Sequence, residues 1–194
     1  YGDLAEKDNL DRCLDHMVRY NRMRHLKPDR ERIREEFWQG APTYGRLFAL
    51  FHEHNAERRG KSRWGDKSLH TEHFADQLFA EFPHAKVIHM SRDPRDRYAS
   101  VSKRYGRNLQ RVGAATGRWL ISMKAAERNL KKYPENYKIV HFEKLAANPR
   151  EVAQEICAFI GEPFAPEMLA MEGAREHKQQ GGNSSFGPLK PGAI

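Results

Sequence analysis

The sequence has 194 residues, of which 39% are hydrophobic and 31% charged, and its 34 Lys and Arg outnumber 26 Asp and Glu. This length and composition predict one soluble, basic, globular domain and exclude collagen-like and wholly disordered chains. No stretch reaches the roughly 20 apolar residues of a membrane-spanning helix. Two cysteines, Cys13 and Cys157, are too few for a disulfide framework and are not clustered as in a zinc site, so we expect buried free thiols.

The first 60 residues have the apolar spacing of helices. Three- and four-residue steps run from Leu10 to Val18, and we expect Pro28 and Pro42 to open two further helices before Gly60 ends the run. Residues 62–67 are interpreted as a short extended segment and a weak strand. An amphipathic helix from Phe74 to Phe82 should follow it.

Residues 86–91 and 137–142 are the two clear strands, because both are short, rich in β-branched residues and bounded by turn signals. Between them we expect a helix after Pro94 and a long helix with Trp119 and Leu130 on its inner face. His89 and His141 are expected to be packed, and Asn148-Pro149 should begin a helix that Gly161 ends. Strands that alternate with helices predict an α/β fold with a parallel sheet flanked by helices.

Positive charge is concentrated directly after the first clear strand. Residues 92–111 hold seven Lys or Arg and two Asp. In open α/β sheets, ligands bind at the carboxyl ends of the strands, where Arg92 lies. Ser100 and Arg104 are four residues apart and share a helix face. Two guanidinium groups and a hydroxyl suit a terminal phosphate, because the planar guanidinium binds two of its oxygens at once.

Four ordered segments resemble a known family. Arg92-Asp93-Pro94-Arg95-Asp96 with Ser100 is similar to the 3′-phosphate motif of sulfotransferases that use 3′-phosphoadenosine 5′-phosphosulfate (PAPS). Further agreement with the branch of bacterial, carbohydrate and protein-tyrosine enzymes comes from Trp64-Gly65-Asp66-Lys67, from residues 82–89, and from residues 140–145 with Asn148-Pro149. Together these motifs are far more specific than any one of them.

The resemblance implies a P-loop-like three-layer fold over one domain, residues 1–194. Residues 1–60 would form a helical acceptor-side region, 61–162 the nucleotide-binding core, and 163–194 a terminal helix and loop. The family's Gly-rich phosphosulfate loop does not occur in this sequence, and we expect it and the first strand upstream of Tyr1. Phe142 stands where relatives often have Tyr, which removes a hydroxyl contact.

The resemblance also implies an activity and its residues. A sulfuryl group would pass from PAPS to a hydroxyl or amine, releasing 3′-phosphoadenosine 5′-phosphate (PAP) and using no metal. Lys67 would stabilise the leaving group, and His70 or His73 is the candidate base. The expected nucleotide ligands are Arg92, Ser100, Arg104, Ser184, Ser185 and Lys190.

The acceptor is left open among small molecules, carbohydrates, lipids and peptides, with no nucleic acid or membrane span expected. We expect a cytoplasmic location, or the Golgi lumen if an anchor precedes this sequence. The alternative function is a noncatalytic module that binds nucleic acid or another polyanion through a basic helix at 97–111. A P-loop kinase is disfavoured, because the sequence has no complete Gly-x-x-x-x-Gly-Lys-Ser/Thr phosphate loop.

Overall fold

The computed structural model describes residues 1–96, 98–99 and 112–169. The chain divides into two compact units, Tyr1–Pro83 and His84–Ile194. Within the described ranges no helix is both long and apolar enough to cross a bilayer. The sequence predicts one domain divided at residues 60 and 162, and this division stays a prediction.

The first unit is helical, as predicted. Its elements are α1 (Lys7–Arg19), α2 (Asn21–Arg24), α3 (Arg30–Phe37), α4 (Tyr44–Arg58), a 3₁₀ turn (Thr71–His73) and α5 (Ala75–Glu81). Side-chain caps fix where α3 and α4 begin, because Asp29 accepts a hydrogen bond from the Arg32 amide and Thr43 accepts one from the Arg46 amide. The two prolines expected in the first helical turns instead precede these caps by one residue.

The apolar faces of these helices form the core of the first unit. Leu10, Leu14, Ile33, Phe37 and Phe51 are fully buried there. Cys13 lies in the same core as a free thiol, as expected, and burial raises its pKa. At the edge of this core Arg34 donates to Asp11 across 2.7 Å, which joins α3 to α1.

The second unit is built on a parallel pair of strands. Its elements are β1 (Val87–Ser91), α6 (Val112–Lys132), β2 (Tyr137–His141), α7 (Phe142–Ala147), α8 (Pro149–Ile160) and a 3₁₀ turn (Pro166–Leu169). Val87 pairs with Tyr137 and Ser91 with His141. The parallel pairing and the intervening helix confirm the α/β prediction. Gly161, at a φ of 73°, ends α8 as expected.

Four local expectations were wrong. Residues 62–67 form no strand, and Phe74 caps α5 with 60% of its surface exposed. His141 is exposed because it is the last residue of β2, where the sheet gives way to α7. Near the end of α6 Asn129 is fully buried, while Leu130 is 37% exposed. The apolar periodicity of that helix therefore drifts by one residue at its end.

Candidate functional site

The chain after β1 is held in place by two neighbouring helices. Trp119 of α6 donates its indole Nε1–H to the carbonyl of Arg92 across 2.9 Å. Glu143 of α7 accepts a hydrogen bond from the Asp93 amide at 2.8 Å, and this bond lowers the pKa of Glu143. Both anchors act on the backbone, so they fix the position of the Arg92 Cα and leave its side chain available.

The guanidinium of Arg92 lies over an aromatic ring at the end of the sheet. Because Ser91 pairs with His141, the next residues of the two strands, Arg92 and Phe142, come side by side. The Arg92 Cζ lies 4.6 Å from the centroid of the Phe142 ring. The contact is a cation–π interaction, and it restricts the orientation of the guanidinium.

The ion pair of Arg92 is loose. Its Nη2 lies 3.7 Å from an Asp96 carboxylate oxygen, and the two side chains are 45% and 57% exposed. Exposed pairs of this kind contribute about 0.2–1 kcal/mol. A phosphate dianion that binds two guanidinium hydrogens would therefore displace Asp96 at little cost.

The neighbouring carboxylate, Asp93, is occupied by a different arginine. Arg95 donates to both carboxylate oxygens of Asp93, at 3.0 and 3.1 Å from Nε, and its backbone amide donates as well at 2.8 Å. The Arg95 side chain and amide lower the pKa of Asp93 to about 2. Asp93 thus closes the first turn after β1 by pairing with Arg95, and the Arg92 guanidinium faces Asp96 and Phe142.

In the first unit, Trp64 anchors the segment that carries Lys67. Its indole stacks on His52, with ring centroids 4.8 Å apart and planes 18° apart, and packs edge-on against Phe48 and Phe82 at 5.9 Å. His52 is buried, and burial lowers its pKa, so the ring that Trp64 covers is neutral at pH 7. Lys67 follows three residues later, is exposed, and has no ion pair or hydrogen bond with any residue that the structure describes.

His70 and His73 lie at a 3₁₀ turn just before α5. His70 is exposed and has a φ of 67°, and it precedes the 3₁₀ turn that ends at His73. The two rings lie 6.2 Å apart and nearly parallel. The role of either histidine as a base stays a prediction.

Several predicted ligands lie outside the part of the chain that the structure describes. These are Ser100, Arg104, Ser184, Ser185 and Lys190, together with the basic segment 97–111 apart from residues 98 and 99. Of the predicted nucleotide ligands, the structure places Arg92. Lys67 and His70 belong to the first unit and Arg92 to the second.

Sequence reasoning missed three residues that shape the end of β1. Trp119 was assigned to the core, Phe142 was noted for a missing hydroxyl, and Glu143 was included as part of a family motif. In the structure Trp119 and Glu143 bind the backbone, and the Phe142 ring contacts the guanidinium. The Phe142 contact could have been predicted by aligning the two strands in parallel, because their register places Phe142 beside Arg92.

Comparisons with known proteins agree with this architecture. The family model described as "Sulfotransferase family" matches residues 3–166. The chain is 28% identical to Sulfotransferase 2B1 of Mus musculus over 151 residues, which are 70% of this chain and 43% of that protein. A solved structure, "Sulfotransferase Domain from the Curacin Biosynthetic Pathway", superimposes with a TM-score of 0.55 at 20% identity, covering 80% of this chain and 59% of that one.

The chain spans less than two thirds of the length of both relatives, at 43% and 59%. The likeness to the solved structure shows the fold. The family model covers most of the 194 residues. This chain therefore belongs to the sulfotransferase family.

Proposed function

We propose that the chain belongs to an enzyme that transfers a sulfuryl group from PAPS to a hydroxyl or amine, and that Arg92 binds the 3′-phosphate of the nucleotide. The observation that carries the proposal is the position of the Arg92 guanidinium and the weakness of its present ion pair. The guanidinium stands at the carboxyl end of β1, 45% exposed, oriented by an aromatic ring and paired at 3.7 Å with one exposed carboxylate. A ligand with two phosphate oxygens offers this group a better partner than Asp96 does.

The surroundings of Arg92 also fit a phosphate. The chain becomes helical at Pro94, two residues after Arg92. The Asp93 amide donates to Glu143, and the Asp93 carboxylate is paired with Arg95. This pairing offsets the negative charge of Asp93, which would otherwise repel a phosphate. Ser100 and Arg104 complete this phosphate site in the proposal, on the strength of the family resemblance.

Lys67 is proposed to act on the leaving group. PAPS supplies the sulfuryl group in an activated form. An ammonium near the phosphate oxygen that is released would stabilise the charge that develops there, by the logic of an oxyanion hole. Two observations support Lys67: its segment is anchored by the buried stack of Trp64 on His52, and its own side chain is exposed. Its amine is therefore not committed to a partner within the described chain.

For the acceptor and the base, we propose only a chemical class and a candidate residue. The acceptor is a hydroxyl or amine of a small molecule, carbohydrate, lipid or peptide. Its proton must pass to a base with a pKa near neutrality, and His70 is the candidate within this chain. Ser184, Ser185 and Lys190 are proposed to line the nucleotide from the C-terminal loop, by resemblance alone.

Calorimetric titration with PAP tests the proposed function. We expect one saturable site, and at a hundredfold excess over the dissociation constant PAP should stabilise the protein by about 2.7 kcal/mol. Titration with ATP and Mg²⁺ is the matched control and should give weaker binding. A polyanion-binding module would instead bind nucleic acid or heparin with an affinity that falls steeply with salt, and would not saturate with PAP. Absence of saturable PAP binding would contradict the proposal.

A further inference from the structure

Three metal-binding side chains converge just after the Lys67 segment. The imidazoles of His70 and His73 and the carboxylate of Glu72 bring ligand atoms within 4.8 Å of one another. The carboxylate is the fixed member of the group, since Glu72 is buried, whereas the two histidines are exposed. A Glu72 oxygen lies 3.6 Å from Nε2 of His73. The cluster therefore joins one anchored oxygen ligand to two adjustable nitrogen ligands.

The local backbone explains why these side chains meet. His70 precedes a 3₁₀ turn over Thr71–His73 and adopts a left-handed φ of 67°. The His73 amide donates a hydrogen bond to the His70 carbonyl at 3.1 Å, which brings the two residues to opposite ends of the turn. Their ring planes differ by 18° and their ring centroids are 6.2 Å apart. Glu72 lies between them in sequence and closes one side of the gap.

We propose that His70, Glu72 and His73 bind Zn²⁺ or a similar divalent transition ion. Two neutral imidazoles and a carboxylate are a ligand set that zinc accepts, with a fourth position left to water. In a tetrahedral site with bond lengths near 2.1 Å, the ligand atoms stand about 3.4 Å apart. The ligand atoms here lie within 4.8 Å of one another, so binding would require the two exposed rings to turn toward Glu72.

The bound ion would hold the two exposed histidines of this turn against the buried carboxylate of Glu72. The family resemblance implies sulfuryl transfer without a metal. The ion would therefore take no part in that reaction and would instead stabilise the conformation of this segment. A metal-bound His70 has no free lone pair at the ligating nitrogen and would not serve as a base through it. The inference does not rest on the proposed function, and its test uses metal binding alone.

Zinc chloride titrated into the untagged 194-residue chain tests the site by calorimetry. We expect one Zn²⁺ per chain and at least a tenfold loss of affinity in His70→Ala and in His73→Ala. His84→Ala is the matched control, because it removes an exposed histidine elsewhere and should bind zinc as the parent does. Mg²⁺ should not compete, since it prefers an octahedral shell of oxygen ligands.

Glu72→Gln tests the third ligand and needs a check of folding, because the residue is buried. Circular dichroism should show helical content like that of the parent, together with a zinc affinity at least tenfold weaker. If Glu72→Gln disturbs the fold, the zinc affinities of the His70→Ala and His73→Ala variants test the site instead. Zinc binding that is absent from the parent, or unchanged in the His70→Ala/His73→Ala double variant, would overturn the proposal.

Discussion

Replacement of Phe142 by Leu tests whether the aromatic ring prepares Arg92 for a phosphate. The Arg92 Cζ lies 4.6 Å from the ring centroid, and among the residues that the structure describes the guanidinium has one other partner, Asp96, at 3.7 Å. A cation–π contact at an exposed site contributes about 0.5–1 kcal/mol. If the ring holds the guanidinium where phosphate binds, its loss should weaken PAP binding by the same free energy, about two- to fivefold in the dissociation constant.

The assay is calorimetric titration of PAP at fixed salt concentration into Phe142→Leu and two comparison variants. Phe142→Tyr keeps the ring and adds the hydroxyl that relatives often have, so it should bind PAP at least as tightly as the parent does. Phe164→Leu is the matched control, because Arg150 lies over the Phe164 ring at 5.6 Å in a contact that the proposed site does not use. Unchanged or tighter PAP binding by a folded Phe142→Leu would refute the reasoning, since the ring would then be neutral toward the phosphate or compete with it.

Three further predictions follow from other parts of the structure. Lys67→Ala should lower PAPS turnover, followed as PAP release, by about 10²–10³-fold while PAP affinity changes little; equal losses in both would assign Lys67 to binding. Asp93 should titrate by NMR with a pKa of about 2, so its stabilising charge persists above pH 3.8 and is lost as the pH falls toward 2. In Arg95→Ala that pKa should rise toward its ordinary value, and an unmoved pKa would contradict the assigned cause. Ile33→Ala, fully buried, should lower the free energy of unfolding in urea by about 2–5 kcal/mol, whereas Leu69→Ala, 72% exposed, should change it by less than about 0.5 kcal/mol.

The sequence was most informative where local patterns and tertiary structure agree. A short β-branched run followed by Pro94 correctly predicted β1 and placed Arg92 at its carboxyl end. The parallel pairing with residues 137–141 was likewise correct, because a long helix between two strands permits that arrangement. Helices α1 and α4 were also predictable, since their apolar spacing matches the faces that are buried.

The contacts that complete the site were less predictable. Helical periodicity assigns Trp119 to a face of α6, but it does not show that the indole reaches a carbonyl 27 residues earlier. The left-handed φ of His70 could not be predicted from the sequence, because positive φ is uncommon in residues other than Gly even though His adopts it more often than most. Asn129 is fully buried while Leu130 is 37% exposed, so a polar residue takes the inward position that apolar periodicity assigns to its neighbour.

The central claim is that Arg92 recognises the 3′-phosphate, and comparison of two nucleotides tests it most directly. The dissociation constants of PAP and of adenosine 5′-phosphate, which lacks the 3′-phosphate, are measured for the parent and for Arg92→Ala, with Arg150→Ala as the control for lost charge. A charge-assisted contact of about 1.5–3 kcal/mol predicts that Arg92→Ala binds PAP about 10- to 150-fold more weakly while its affinity for adenosine 5′-phosphate is unchanged. An equal loss for both nucleotides, or a loss for neither, would contradict the claim.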